Sequence, residues 1–517
     1  MKLTNEYLQS LKLARRLFKN LAIACFLIQI LLNFSYENVI CNLLTVGIFI
    51  LVTELVFEKK NKNIADALIA TVIFLTVASN SIVPTLGTLL DGHTLVYSLN
   101  RPVETYFHRF IYGLLISFAF FVYRNRTKNS IKEIFSRISD RHKLNILLPK
   151  NLVWGLGLIS LFLFFFKGIL PLPLELYKFL DGFGILLYSP FILILPIYKT
   201  DNRKLRNRTL LIYFAVMVIL SFLTNSRQAI VNPVASVAAG WLILLITGDV
   251  ILNSRLIQRG LIGGVVGLFL IGSFSDLSTA ILIQRANRDN NTVEEKITAT
   301  FNTFLDKKAI DEYLKEQSVS TSLVVNTNEW QENYMRNPFL IRFVQIKFDD
   351  NLFMRLGGYD DLAKNKLRQA TYDKILATFP TPVLKLFGST IDKDYVNSFS
   401  IADLMTVLSG DGFLGGFLTG SITAASYAIF GWNYVFVLFF IYLLLFYIYG
   451  GFASHSLGYN NKEERISTLA LVFCFSLFSN FSLDGITNLI PVILRGVWQS
   501  MLIYYLAIRL IIKLNIS

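Results

Sequence analysis

The chain has 517 residues, 54% of them hydrophobic and 16% charged. Counting its 30 glycines, the apolar share reaches roughly 60%, against about 45–50% apolar and 25% charged residues in soluble proteins, which excludes an ordinary soluble enzyme. Three cysteines (Cys25, Cys41, Cys474) in or beside apolar runs exclude a disulfide scaffold and a cysteine zinc site, and the net charge of +14 carries no meaning until it is located.

A spanning helix needs about 20 largely apolar residues. The sequence therefore predicts spans near 17–34, 39–57, 64–83, 106–123, 152–166, 182–198, 209–224, 228–247 and 260–283, ahead of a long polar stretch. Spans near 432–450, 466–482 and 490–512 come after it, giving twelve, and the glycine-rich run 412–430 reads as a re-entrant or interfacial helix. The expected fold is an all-α polytopic membrane protein in three blocks: helices one to nine over 1–283, a large extracytoplasmic loop domain over 284–411, and the re-entrant helix with the last three spans over 412–517. The first run follows Lys12, Arg15, Arg16 and Lys19 and lacks a small-residue cleavage site, so it reads as a retained signal anchor with its N-terminus inside.

The charge then falls into place. Residues 1–19, 57–63, 123–151, 199–208, 248–259, 451–465 and 509–517 hold 27 Lys or Arg against 8 Asp or Glu, whereas 285–405 is net −1 and the remainder net −4. This asymmetry is the positive-inside pattern, and it removes the support for a nucleic-acid partner. Both termini are expected in the cytoplasm, and the long polar segment outside.

Within that segment, Thr292 and Glu295 have capping-box spacing ahead of Val293, Ile297, Phe301 and Phe304. Asn337 with Pro338 predicts a helix start running through Phe339, Leu340, Phe343 and Ile346, and a further helix starts at Asp360 or Asp361 and stops before Pro380. Ser400 and Asp403 repeat the capping spacing before the chain returns to the membrane. A helical cap against the outer face is expected. No internal repeat is evident, which disfavours transporters built from duplicated halves.

Arg285 and Arg288 lie three residues apart at the outer end of the ninth span, so on a continuing helix both guanidiniums face one way, suited to a phosphate or diphosphate head group or to snorkelling toward lipid phosphates. Arg227 and Arg495 sit within or at the edge of apolar spans, where an ionised group is costly and marks a site unless it pairs with a carboxylate such as Asp276, Asp411 or Asp484. Asp276, Asp411, Asp484 and the Asp349/Asp350 pair could each serve as general base toward a sugar hydroxyl, or as a cap or ion-pair partner. Asp392 and Asp394 form a D-x-D, the spacing of a metal-binding glycosyltransferase motif, but a lone one in a polar loop is a weak signal. His93, His108, His142 and His455 form no ligand cluster, and the glycines of GDGFLGG match no nucleotide-binding pattern, so they read as positions of close backbone packing. No metal or cofactor is expected.

These stretches resemble the bacterial O-antigen and capsular polysaccharide repeat-unit polymerases, the Wzy type. The resemblance covers roughly residues 210–500 and rests on the layout and on SRQ after the seventh span, SDLSTAILIQRANR, YMRNPFLIRFVQIKFDDN and GGFLTGSITAASYAIFGW. It implies a metal-independent GT-C-type glycosyltransferase of the inner membrane. Such an enzyme moves a growing glycan from undecaprenyl diphosphate onto the next lipid-linked repeat unit on the outer face, with lipids and a chain-length regulator as partners. The family's outer-loop arginines fall on Arg227, Arg285, Arg288 and Arg342, with Arg495 beside them as the second membrane arginine. Such arginines stabilise the departing diphosphate while a carboxylate, in the order Asp276, Asp411, Asp350, deprotonates the acceptor. A histidine base would have to be His93. Two alternatives share the layout: a ligase that transfers finished polymer, and a transporter or flippase for lipid-linked sugars.

Overall fold

A computed structural model describes residues 5–126, 130–167, 174–198, 202–224, 228–284, 293–323, 334–386, 388–456, 464–481 and 485–513. Apolar segments in lipid must satisfy every backbone group internally, and helices do so. The described chain is helical throughout, apart from a two-stranded antiparallel ribbon pairing Ser454–Ser456 with Glu464–Ile466.

In chain order, the helices are α1 (Asn5–Leu32), α2 (Tyr36–Val56), α3 (Ile64–Asn80), α4 (Ile82–Leu90), α5 (Pro102–Asn125), α6 (Ser130–Arg141), α7 (Lys150–Lys167), α8 (Leu174–Asp181), α9 (Arg203–Thr224), α10 (Gln228–Thr247) and α11 (Ser254–Gln284). Next come α12 (Val293–Leu305), α13 (Lys307–Leu323), α14 (Ile346–Leu356), α15 (Asp361–Leu376), α16 (Thr381–Leu386), α17 (Lys393–Asn397), α18 (Ile401–Leu408), α19 (Ile422–Phe430), α20 (Tyr434–Phe452), α21 (Thr468–Phe481), α22 (Ile486–Pro491) and α23 (Val497–Lys513). Among the described residues, five helical stretches are long and apolar enough to cross a membrane: α2, α3 with α4, α5, α19 with α20, and α22 with α23. A sixth is α11 if its two halves, bent by 42°, count as one span. This is an all-α membrane protein.

One predicted span and the glycine-rich run differ in kind from the expectation. Residues Gly182–Ile194 form a 3₁₀ rather than an α-helix, with Pro190 inside it; proline removes an amide donor and crowds the preceding turn. The run 412–430 is not one re-entrant helix. Its second half, α19, heads the span that continues through α20, while its first half is a loop with Gly410, Gly412 and Gly415 at positive φ. That loop wraps a buried carboxylate: Asp403 accepts the amides of Gly415 (3.3 Å), Phe417 (3.0 Å) and Leu418 (2.8 Å), and closes the predicted capping box with Ser400.

The core is centred on α3, which packs against α2, α5, α10, α20 and α21 and buries small residues, Ala65, Ala67, Ala70 and Ala78, where backbones approach closely. At Gly113 a Cβ would lie 2.5 Å from Ile48 Cγ1, so only glycine allows α5 to sit this close to α2. One end of the bundle gathers basic segments: Arg124 bonds Glu58 (2.8 Å), the Tyr7 hydroxyl donates to the Ile246 carbonyl (2.7 Å), and the Leu252 amide donates to Ser10 (2.8 Å). The segment 334–421 covers the opposite end, where it meets the C-terminus of α4 and the N-termini of α5, α19 and α22.

The Asn337 cap exists, since its Oδ1 accepts the Phe339 and Leu340 amides (3.0 and 3.1 Å), but the turn it starts is a short 3₁₀ piece over Leu340–Arg342, and the α-helix restarts at Ile346. Asp360 caps α15 through the Ala363 amide, as expected. Thr292 lies outside the described residues.

Candidate functional site

The cap is fastened by charges that sequence patterns pair poorly. In α14, IKFDDNLFMRL, Lys347 and Asp350 lie one turn apart and bond at 2.8 Å, with side chains 1% and 0% exposed. The remaining Asp350 valence is taken by backbone: Asn100 donates to both oxygens (3.0 and 2.9 Å) and Arg101 to Oδ1 (2.6 Å), which fixes the turn leading into α5. Two turns into α5, buried Arg109 donates Nε to Asp349 at 2.5 Å. A buried ion pair compensates its desolvation only when hydrogen bonds use its remaining valences, and these do.

A cleft of about 1610 Å³ opens between the cap segment 374–397 and residues 487–502. One wall is mainly apolar, with Phe179 from α8 and Val492, Leu494, Trp498 and Leu502 from the last span, beside Thr487, Asn488 and Gln499. The facing wall is mixed, with Thr378, Thr381, Asp392, Lys393, Asp394 and Asn397 interleaved with Phe379, Pro380, Pro382 and Ile391. Arg495 lines the cleft and owes its position to a break in its helix. After Pro491 the chain makes a π-turn over Val492–Gly496 before α23 begins, a device that rotates a side chain out of its α-helical register. The Arg495 Nε bonds Gln499 Oε1 (3.1 Å).

Charges on the mixed wall differ in availability. Lys374 donates to the Val396 and Phe399 carbonyls and lies over the Phe399 ring (4.3 Å), and burial lowers its pKa. Lys393 donates to the Phe379 carbonyl. Asp392 caps α17 through the Asp394 and Tyr395 amides (3.0 and 3.1 Å), which accounts for the D-x-D spacing without a metal. Asp394 is exposed and has no ion-pair partner among the described residues. The cleft thus presents an exposed guanidinium and an exposed carboxylate, each without an ion-pair partner among the described residues. Among the described residues no group of three His, Cys, Asp or Glu could hold a metal ion.

The predicted carboxylates lie elsewhere. Asp350 is a structural anchor, sealed from solvent with every oxygen engaged, and leaves no lone pair for an incoming hydroxyl. Asp276, near the C-terminal end of α11, is ion-paired to Lys307. Asp411 is 43% exposed and 3.9 Å from buried Arg355, whose pKa is lowered by burial against the opposing pull of Asp411. None of the three lines the cleft. Among the predicted arginines other than Arg495, which is exposed on the last span, Arg342 is half-buried in the 3₁₀ turn. Arg227, Arg285, Arg288 and Asp484 lie outside the described residues.

His93 is ordered in a way sequence could not show. Its Nδ1 lies 2.9 Å from Asp91 and its ring stacks on Tyr97 at 3.8 Å, while Asp91 also accepts the Arg336 and Asn337 amides, both at 3.0 Å. It is a positioned imidazole, but it does not line the cleft. Sequence reasoning missed Arg109, although an arginine inside the span 106–123 meets the criterion that singled out Arg227 and Arg495. It also gave Asp394 only a metal role.

Comparison of the chain with protein-family models, curated proteins and solved structures finds no match in any of the three.

Proposed function

We propose that this protein is a membrane glycosyltransferase that polymerises polyprenyl-diphosphate-linked oligosaccharide repeat units. It would act on the outer face of a bacterial cytoplasmic membrane, with about twelve spans and both termini in the cytoplasm. The single observation that carries the reading is the cleft: a large cavity at the junction of spans and cap, where apolar side chains of the last span and the charged and hydroxyl groups of the cap share one space with Arg495. A lipid-linked sugar calls for both kinds of group, having a hydrocarbon carrier and a hydroxyl-rich head joined by a diphosphate. The segregation of 27 basic groups to one side and the cap at the opposite end support the orientation.

In this reading the acceptor hydroxyl oxygen attacks the anomeric carbon of the donor glycan. The bond from that carbon to the diphosphate oxygen breaks, and the diphosphate leaves on its carrier. Negative charge grows on the departing oxygen, where fixed guanidiniums are worth most: Arg495, with Arg227, Arg285, Arg288 and Arg342 as further contributors. The hydroxyl proton passes to a carboxylate, and Asp394 replaces Asp276, Asp411 and Asp350 as our first choice, because it is the free acid of the cleft.

The test is the glycan profile of cells carrying single substitutions. Arg285→Ala, Arg227→Ala and Arg495→Ala should each leave the protein in the membrane and reduce surface glycan to single repeats. Polymer of normal length in all three would sink the role of the arginines, and long polymer left on the carrier lipid would favour the ligase.

A further inference from the structure

A second cavity opens at the other end of the molecule. It has a volume of about 360 Å³ and is lined by residues 249–259 together with Pro196 and Trp241. Two of its lining groups are Arg255 and Arg259, one turn apart on the first turns of α11, so their guanidiniums project the same way. Both are exposed, and neither has an ion-pair or hydrogen-bond partner among the described residues. The helix terminus itself is already capped, the Leu256 amide donating to Asn253 (2.9 Å), so the arginines and not the terminus make the site. Asp249 also lines it, and its carboxylate is held by Thr247 Oγ1 at 2.6 Å.

The stretch of α11 beyond the arginines indicates which anion belongs here. From Leu261 to Leu268 the helix is exposed on every side, with Leu261 and Ile262 both at 65%, and a Cβ built on Gly260, Gly263, Gly264 or Gly267 would meet nothing within 4 Å. In an all-α membrane protein an apolar helix bare on all sides faces acyl chains. The arginine pair therefore stands where hydrocarbon gives way to the polar end, level with phospholipid phosphates, with the Trp241 ring beside it as an interfacial anchor. The same end carries the basic loops.

We infer that Arg255 and Arg259 form a headgroup site for an anionic phospholipid, whose phosphodiester takes both guanidiniums while its chains lie along the bare stretch of α11. The volume suits a glycerophosphate headgroup, and planar forks suit a phosphate better than two ammonium groups would.

The full chain, purified in neutral detergent and exchanged into mixed micelles containing phosphatidylglycerol or phosphatidylcholine, tests this by native mass spectrometry of retained lipid. The wild type should retain phosphatidylglycerol in preference. The double substitution R255A/R259A should lower that retention by about thirtyfold, and R255K/R259K by less, because each basic group near the surface contributes on the order of 1 kcal/mol. Both variants should melt at the wild-type temperature in lipid-free detergent, since the replaced side chains touch no protein partner. If the alanine pair fails to fold, the lysine pair carries the test. Brominated phosphatidylglycerol should quench Trp241, a loss absent in W241F. Equal retention of the two lipids, or full retention by the alanine pair, would overturn the site. Displacement of phosphatidylglycerol by millimolar inorganic phosphate would reassign it to a soluble phosphate.

Discussion

The junction under α14 and the cleft beside α22 and α23 both bring charges from the cap to the ends of spans, yet they use them in opposite ways. Where α14 meets α5 the charges are buried and answered: Lys347 by Asp350, Arg109 by Asp349, and the spare oxygens of Asp350 by two backbone amides. In the cleft Arg495 and Asp394 are exposed and face open volume. Removing a partner from the first set strands a charge in a dry interior. Removing one from the second strands nothing in the resting protein, so any effect must appear when a ligand is bound. Charges that hold the cap and charges that can serve a substrate are thus separable by experiment.

The largest effect is expected at the junction. Asp350→Ala leaves the buried Lys347 charge without its carboxylate, with only the Ser98 carbonyl to accept from it, and leaves two amides without an acceptor; breaking such a pair costs about 3–5 kcal/mol. Thermal melting in detergent should fall sharply, and the cap should become sensitive to protease. Arg109→Met alone should cost a similar amount by stranding Asp349. The double replacement R109M/D349L should recover most of it, because apolar residues of similar size often replace a buried pair at little cost. A double-mutant cycle with no coupling between these positions would refute the pairing. A smaller loss, about 1 kcal/mol, is expected for Ser400→Ala, which removes a helix cap but leaves Asp403 its other amide donors. Arg495→Ala and Asp394→Asn should leave melting unchanged.

The same contrast marks how much the sequence disclosed. The helical membrane fold was legible, because a lipid environment writes long apolar runs into the chain: most predicted runs coincide with a helix, and the run 182–198 holds a 3₁₀ helix over Gly182–Ile194. Caps were legible where the pattern is local, as at Asp360 and Ser400. Pairings across the chain were not. Arg109 and Asp349 are 240 residues apart, and no periodicity links them. The cleft is made by α16 and α17 against α22 and α23, which come far later in the chain, so Asp394 could not be seen to share a space with Arg495. The GDGFLGG glycines misled for a physical reason. Glycine permits close helix packing and positive φ alike, and here the second use wins, folding the loop around Asp403.

Whether the cleft polymerises glycans is decided by turnover of a lipid-linked repeat unit by the purified protein, reconstituted in liposomes without added metal, with wild type, Arg495→Ala and Asp394→Asn compared side by side. The wild type should release carrier diphosphate and lengthen the glycan. Removing the guanidinium should lower turnover by about 10²- to 10³-fold, and both variants should melt as the wild type does. Wild-type protein that moves the lipid-linked unit across the bilayer without lengthening it, or an Arg495→Ala variant as active as the wild type, would contradict the assignment.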